Sequence, residues 1–293
     1  MKIAAATYPL DWHENWDSYK AKKTRWVRAA AEEGAELLVF PEYGSMELAS
    51  LSGVEIAADL EKSLRAVDAL RSKADELYAE LAAQYGVFIL GASAPSYSDG
   101  GRPTNRAVLF SPAGASGYQD KMVPTRYERE KMDISAGRDL RLFETSIGRI
   151  GVIICYDAEF PEMARRMVEA GAEILLAPSC TEQMSGYWRV RIGAMARALE
   201  SQCVVVHSPL CGAAAWNPVV SNNTGAAGIY GPPDIGFPET GVINVGVMNE
   251  PTWVYGKVSR EAIAHVRADG RVLNKTHWAE QAEWCQRVNT QKI

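Results

Sequence analysis

The chain has 293 residues, 47% of them apolar, which is enough for a large buried core in one large domain or two ordinary ones. Its 31 basic and 36 acidic residues give a net charge of −5, a balance that argues against nucleic-acid binding. No apolar run is long enough for a membrane span, and the apolar start is too short for a secretory signal. We therefore expect a cytoplasmic protein that does not enter membranes.

Apolar runs alternate with amphipathic stretches along the chain. Apolar runs, several of them unbroken and β-branched, predict buried strands at residues 2–7, 36–40, 87–91, 107–110, 149–155, 173–177 and 203–207. Amphipathic stretches predict helices at 16–33, 60–84, 160–170 and 188–200. This order indicates an α/β fold.

No linker or internal repeat divides the chain, so we expect one domain over residues 1–270 and a C-terminal tail over 271–293. The segment 209–239 is rich in Gly, Pro, Ala and Asn, which predicts extended loops around a site. The tail carries Trp278 and Trp284, two large aromatic residues that a solvated segment does not need. We expect the tail to pack against something, with a second subunit as one candidate.

Two of these predicted strands, and a further strand expected at residues 117–120, end close to an ionisable residue. Glu42 follows the run 36–40, Lys121 follows Gly117–Asp120, and Cys155 ends the run 149–155 just before a predicted helix. The helix dipole at that position would favour a thiolate, and the first amides of the helix could stabilise an oxyanion. A lone buried cysteine is otherwise an inert small hydrophobic residue.

The remaining cysteines and the histidines offer no competing chemistry. The chain's five cysteines are odd in number and scattered, without a CxxC motif or a histidine at ligand spacing, so neither disulfides nor structural zinc are expected. Of the four histidines, only His207 follows a predicted strand, and no GxSxG motif is present. A thiol needs a base at neutral pH, and Glu42 could accept its proton while Lys121 stabilises negative charge. We expect no metal and no cofactor.

The three windows around these residues resemble the nitrilase, or carbon-nitrogen hydrolase, superfamily, whose members carry a Glu-Lys-Cys triad in this chain order. Phe40-Pro41-Glu42 is similar to the glutamate motif, Asp120-Lys121 to the lysine motif, and Cys155-Tyr156-Asp157 with Phe160-Pro161-Glu162 to the nucleophile motif. Arg197-Ala198-Leu199-Glu200 and Val266-Arg267-Ala268-Asp269-Gly270 resemble later segments. Ser201 and His207-Ser208 depart from the usual pattern, which has Asn at both places.

This resemblance implies a four-layer αββα sandwich whose subunits pair into a homodimer or a higher homo-oligomer, with the tail crossing to the partner. It also implies roles for the site residues. Glu42 would be the general base and Cys155 the nucleophile, while Lys121 and the Tyr156 backbone N–H would hold the oxyanion. Ammonia or an amine would leave, and water would hydrolyse the thioester.

Many relatives in this superfamily add a second glutamate after the lysine. The best match to it is Glu128, with Glu130 as the alternative. The competing interpretation is a solvated charge cluster, because most residues around these two glutamates are ionisable.

The resemblance also suggests a substrate class. Cys-Tyr-Asp is similar to the amidase branches, so hydrolysis of a small amide is favoured. Glu159 stands where branches that bind dicarboxylates carry arginine, and with Glu182 it would favour a neutral or amine-bearing amide. A favourable interaction with the helix dipole explains Glu159 equally well.

Aromatic residues are candidates for the pocket wall. Tyr43, Trp188 and Trp216 could line it, although large aromatic residues more often belong to the core. Nitrile hydrolysis, N-carbamoyl amide hydrolysis and acyl transfer stay open as alternative reactions. A catalytically idle binding or scaffold protein is the alternative from another class.

Overall fold

Two β-sheets lie face to face at the centre of the fold, and helices cover their outer faces. The computed structural model describes residues 1–98 and 101–291. The strands are β1 (Lys2–Pro9), β2 (Leu37–Val39), β3 (Phe88–Leu90), β4 (Ala94–Ser96), β5 (Thr104–Phe110), β6 (Ser116–Asp120), β7 (Leu142–Thr145), β8 (Gly148–Val152), β9 (Ile174–Ser179), β10 (Val204–Ala213), β11 (Asn222–Asn223), β12 (Gly228–Tyr230), β13 (Val242–Val245) and β14 (Thr252–Lys257). The α-helices are α1 (Trp16–Glu32), α2 (Val54–Ala57), α3 (Leu60–Tyr85), α4 (Arg126–Glu130), α5 (Pro161–Glu169), α6 (Met184–Ser201), α7 (Arg260–Asp269), α8 (Asn274–His277) and α9 (Gln281–Trp284), with 3-10 helices at Gly44–Ser52, Cys155–Glu159 and Trp278–Glu280.

The first sheet has the order β14-β1-β2-β3-β5-β6, and β4 pairs with the start of β5. The second sheet has the order β7-β8-β9-β10-β12-β13. The inner strands of each sheet, β1 to β3 and β8 to β10, run parallel. The two sheets join where β1 pairs with β10, at Tyr8–Leu210 and Pro9–Cys211.

Alternating side chains of the first sheet divide between two apolar layers. Leu37 and Val39 of β2 point into a core shared with the second sheet, whereas Leu38 points towards α1 and α3. This period of two is what a strand covered on both faces requires. Val190 of α6 and Met167 of α5 pack against the second sheet from outside. The result is the four-layer αββα sandwich.

The predicted strands and helices are present, but two local expectations are wrong and one strand was not predicted. The segment 209–239 contains the end of β10 as well as β11 and the buried strand β12, so it is more than loops. Strand β14, which was not predicted, pairs antiparallel with β1 over its length. Helix α6 begins at Met184 and not at residue 188. Within the described residues, no helix combines the length and hydropathy that crossing a bilayer requires.

The tail forms short helices on the surface next to α6. Trp278 is half-buried under the Arg165 guanidinium, which lies 4.6 Å from its ring centre, whereas Trp284 is 75% exposed. Lys292 and Ile293, the last residues of the predicted tail, lie outside the described residues.

Candidate active site

The structure brings the three predicted strand-end residues to one cavity of about 530 Å³. Glu42 lies just beyond β2, Lys121 directly after β6, and Cys155 shortly after β8. Cys155 has a φ of 51°, in the left-handed region, so the chain turns sharply where the thiol is presented. Tyr43 adopts a similar left-handed conformation next to Glu42, with a φ of 54°. Such conformations persist only when their surroundings hold them.

Lys121 lies between two buried glutamates. Its Nζ donates to Glu42 Oε1 at 2.7 Å and to Glu128 Oε2 at 2.6 Å. Glu128 is also the third residue of α4, where it accepts from the Thr125 N–H at 2.7 Å in a capping box. Glu130 instead pairs with an exposed arginine on the surface. The two glutamates of the predicted charge cluster therefore have different environments: Glu128 lines the cavity, and Glu130 lies on the surface.

Asn105 on β5 connects the two glutamates, and the sequence patterns did not single it out. Its Nδ2 donates to Glu42 Oε1 at 2.9 Å and to Glu128 Oε1 at 3.3 Å. The Ser93 hydroxyl donates to Asn105 Oδ1 at 2.6 Å and fixes the orientation of the amide. Tyr43 donates its hydroxyl to Glu128 Oε1 at 2.7 Å. Both carboxylates are thus held by neutral donors as well as by Lys121.

The backbone of Cys180, directly after β9, contacts both Glu42 and Cys155. Its N–H donates to Glu42 Oε2 at 2.8 Å, and its carbonyl accepts from the Cys155 thiol at 3.8 Å. The neighbouring Ser179 hydroxyl lies 2.7 Å from His207 Nε2. Burial lowers the pKa of His207 to about 3, so this imidazole is neutral and supports the strand end.

Asp157 stabilises the turn that carries Cys155. Its carboxylate accepts from the N–H groups of Ile154 at 3.1 Å, Met122 at 3.2 Å and Val123 at 2.9 Å. These bonds connect the nucleophile turn to the segment that follows Lys121. The aspartate of the Cys-Tyr-Asp motif thereby fixes the relative position of nucleophile and lysine.

The two glutamates differ in acidity. Burial raises the pKa of Glu42 to about 7, with the Glu128 charge adding to the rise and Lys121 opposing it. Burial acts on Glu128 in the same direction, but Lys121 and the donors around it outweigh that effect and hold its pKa below the usual range. Burial lowers the pKa of Lys121, but the two carboxylates raise it well above its ordinary value. Glu42 is therefore the carboxylate that can exchange a proton near neutral pH.

The expected stabilisation of a Cys155 thiolate by a helix dipole is wrong. Burial, and then the Glu42 carboxylate, raise the pKa of Cys155 well above its ordinary value, and Lys121 only partly opposes them. The turn after Cys155 is a short 3-10 helix, and α5 begins only at Pro161, so the expected helix dipole is not adjacent to the sulfur. Cys155 is therefore a neutral thiol near neutral pH.

Other predicted substrate contacts divide between the cavity and the surface. Tyr43, Tyr156, Glu159 and Glu182 line the cavity. Trp188 does not, since it is 44% exposed and packs edge-on against the Tyr187 ring. Likewise, Trp216 packs edge-on against the Trp12 ring outside the cavity lining. Arg189, which no sequence pattern indicated, also lines the cavity and donates its Nε to Glu159 Oε1 at 3.3 Å.

Fold and site together define an αββα protein whose cavity holds a cysteine, a lysine and two glutamates. The Carbon-nitrogen hydrolase family model matches residues 2–281. The chain therefore belongs to the carbon-nitrogen hydrolase family.

Similar proteins agree with this assignment. The chain is 31% identical over 275 residues to the "Probable hydrolase YhcX" of Bacillus subtilis, covering 93% of this chain and 52% of that protein. It is 32% identical over 201 residues to the "Deaminated glutathione amidase" of Bos taurus, covering 64% and 58%. The chain thus spans just over half the length of these two curated relatives. XC1258 of Xanthomonas campestris, a CN-hydrolase superfamily protein of known structure, superimposes with a TM-score of 0.71 at 20% identity, covering 100% of this chain and 99% of that one.

Proposed function

We propose that the protein is an amidase that hydrolyses a small neutral or amine-bearing amide and releases ammonia through a thioester on Cys155. The supporting observation is the arrangement of the cavity. A buried thiol shares the cavity with a carboxylate whose pKa is about 7 and with a lysine between two glutamates. Relatives named as amidases support the same reaction class.

In the proposed mechanism, Glu42 takes the thiol proton and Cys155 Sγ attacks the amide carbon. The Lys121 ammonium and the Tyr156 N–H stabilise the oxyanion. Glu42 then passes its proton to the nitrogen as the carbon-nitrogen bond breaks, so ammonia leaves and a thioester remains. Water attacks the thioester, Glu42 accepts a proton from it, and the acid leaves as the Cys155 thiol is restored.

Ammonia release from amides, with matched nitriles and N-carbamoyl compounds, tests this proposal. Cys155→Ala should reduce release from the preferred amide by at least about 10³-fold, because the nucleophile is lost. Cys285→Ala, which removes an exposed thiol, is the matched control and should behave like wild type. A preferred nitrile or carbamoyl substrate would replace the amide in the proposal. If the wild-type protein releases no ammonia from any compound, the proposed amidase function is overturned in favour of acyl transfer or a binding role.

We also propose that the protein forms a homodimer through α6. Its outer face carries an exposed apolar stripe of Met184, Trp188, Ile192 and Leu199, each at least 44% exposed. Their spacing places them on one side of the helix. The exposed Trp284 lies on the tail, whose first helix packs next to α6, and would extend the same surface.

We further propose a cytoplasmic location, since the five free cysteines, one of them the proposed nucleophile, suit a reducing compartment.

A further inference from the structure

Three charged side chains form the solvent-facing rim of the cavity: Glu159, Glu182 and Arg189. The Arg189 side chain is 61% exposed and that of Glu159 is 22% exposed, in contrast to the buried Glu42, Lys121 and Glu128 deeper in the cavity. A substrate whose amide reaches Cys155 must pass this rim. Its far end will therefore lie near these charges.

The rim charges do not act equally on a substrate. Arg189 Nε lies 3.3 Å from Glu159 Oε1, so the guanidinium already has an anionic partner. Among the described residues, Glu182 has no cationic partner. A substrate carboxylate would meet an occupied arginine and an uncompensated glutamate. A substrate ammonium would instead be attracted by Glu182.

We infer that the Glu159–Arg189 ion pair determines substrate charge: Glu159 withholds Arg189 from substrate carboxylates, and Glu182 favours a neutral or cationic acyl chain. This inference rests on the proposed amidase function and assigns its substrate class. Specificity then has two sources: Glu159 cancels the attraction of Arg189 for a substrate carboxylate, and Glu182 attracts a substrate cation.

The position of Arg189 shows what removing the Glu159 charge would do. Arg189 lies in the second turn of α6, and Gln183 and Ser185 from the start of that helix line the same cavity. No acidic residue occupies the first turn of α6. Without the Glu159 charge, a guanidinium and a helix N-terminus would face the same space, and both favour an anion. Glu159→Gln should therefore admit carboxylate substrates.

Three amides with a common –CH₂CH₂CONH₂ group provide the test: propionamide, β-alaninamide and succinamate, which are neutral, cationic and anionic. For wild type, kcat/KM should be lowest for succinamate. Glu159→Gln should raise the succinamate-to-propionamide ratio by roughly tenfold, and adding Arg189→Gln should remove that gain. Glu182→Gln should lower the β-alaninamide-to-propionamide ratio by roughly fivefold. These ratios should shrink at high salt because the rim charges are partly exposed.

Glu162→Gln is the matched control, because Glu162 is 62% exposed, pairs with Arg166 and lies outside the cavity lining. It should leave all three ratios as in wild type. A wild-type preference for succinamate, or a Glu159→Gln ratio that stays at the wild-type value, would overturn the inference. Absence of ammonia release from all three amides and from the wider panel would instead contradict the proposed function, so the two failures are distinguishable.

Discussion

At the level of single residues, Asn105 is the neutral side chain that hydrogen-bonds to both glutamates of the cavity. Its Nδ2 donates to Glu42 Oε1 at 2.9 Å, in a site where burial raises the pKa of that carboxyl to about 7. A donor stabilises the ionised carboxylate, so Asn105 holds the pKa of Glu42 lower than burial alone would. The same amide reaches Glu128, so both glutamates depend on it.

Asn105→Ala should therefore raise the pKa of Glu42 further. Because the mechanism uses ionised Glu42, the wild-type kcat/KM should rise with pH through about 7, and in the variant that rise should move up by about one pH unit. The measurement is the pH profile of kcat/KM. Asn244→Ala, which removes a surface amide on β13, should leave the profile in place. A lower rate at every pH with an unmoved profile would mean that Asn105 has only a structural role.

The sequence could indicate those site residues that have a local signal. Glu42 follows an apolar run, Cys155 ends one, and the motifs around Glu42, Lys121 and Cys155 resemble those of a known family. Asn105 lacks such a signal, because its role depends on contacts with residues 63 and 23 positions away in the chain. Trp188 was expected in the cavity, but it precedes the cavity-lining Arg189 by one residue. One residue along a helix is a rotation of about 100°, and it turns the ring towards solvent.

At the level of elements, the close packing of α6 against the nucleophile turn depends on Gly193. A Cβ at this position would lie 2.6 Å from the Ala158 carbonyl oxygen, and that backbone oxygen cannot move as a side chain could. Arg197, one turn further along α6, donates to the same oxygen at 3.1 Å. The helix is thus held directly behind the turn that presents Cys155.

Gly193→Ala should destabilise the protein and disturb the site. An alanine in a helix interior normally stabilises by about 1 kcal/mol relative to glycine, so a loss of stability would show that the contact outweighs propensity. We expect the free energy of unfolding to fall by about 1–3 kcal/mol and kcat to fall by about tenfold or more. Urea denaturation and ammonia release measure the two effects. A more stable and fully active variant would show that α6 can move away without consequence.

Elements with a strong local pattern were predictable, and those defined by their partners were not. The buried parallel strands contain continuous apolar runs, such as 37–40 and 203–206. Strand β12 is only three residues long and lies in a Gly- and Pro-rich segment, so its pairing with β10 gives it strand structure. Strand β14 contains Gly256 and polar residues, and its pairing with β1 is a contact across almost the whole chain.

At the level of the whole molecule, the cavity lies where the two sheets meet, so both sheets supply the site. Glu42 and Lys121 follow strands of the first sheet, and Cys155 follows a strand of the second. The backbone of Cys180 connects them, since it contacts Glu42 and Cys155. A change in the relative position of the sheets would therefore move Glu42 away from Cys155. Assembly through α6, which covers the second sheet, would limit such movement.

The proposed dimer gives a prediction at this scale. Ile192 is 61% exposed at the centre of the apolar stripe on α6, so Ile192→Asp should place a charge in the interface and yield monomers. Val247→Asp is the matched control, because Val247 is 65% exposed but lies outside α6. Light scattering after size exclusion measures the mass. Wild type should also show a Tm that rises with protein concentration, and Ile192→Asp should not. A wild-type mass equal to that of one chain would contradict the dimer. The apolar stripe on α6 would then be buried only by a different partner.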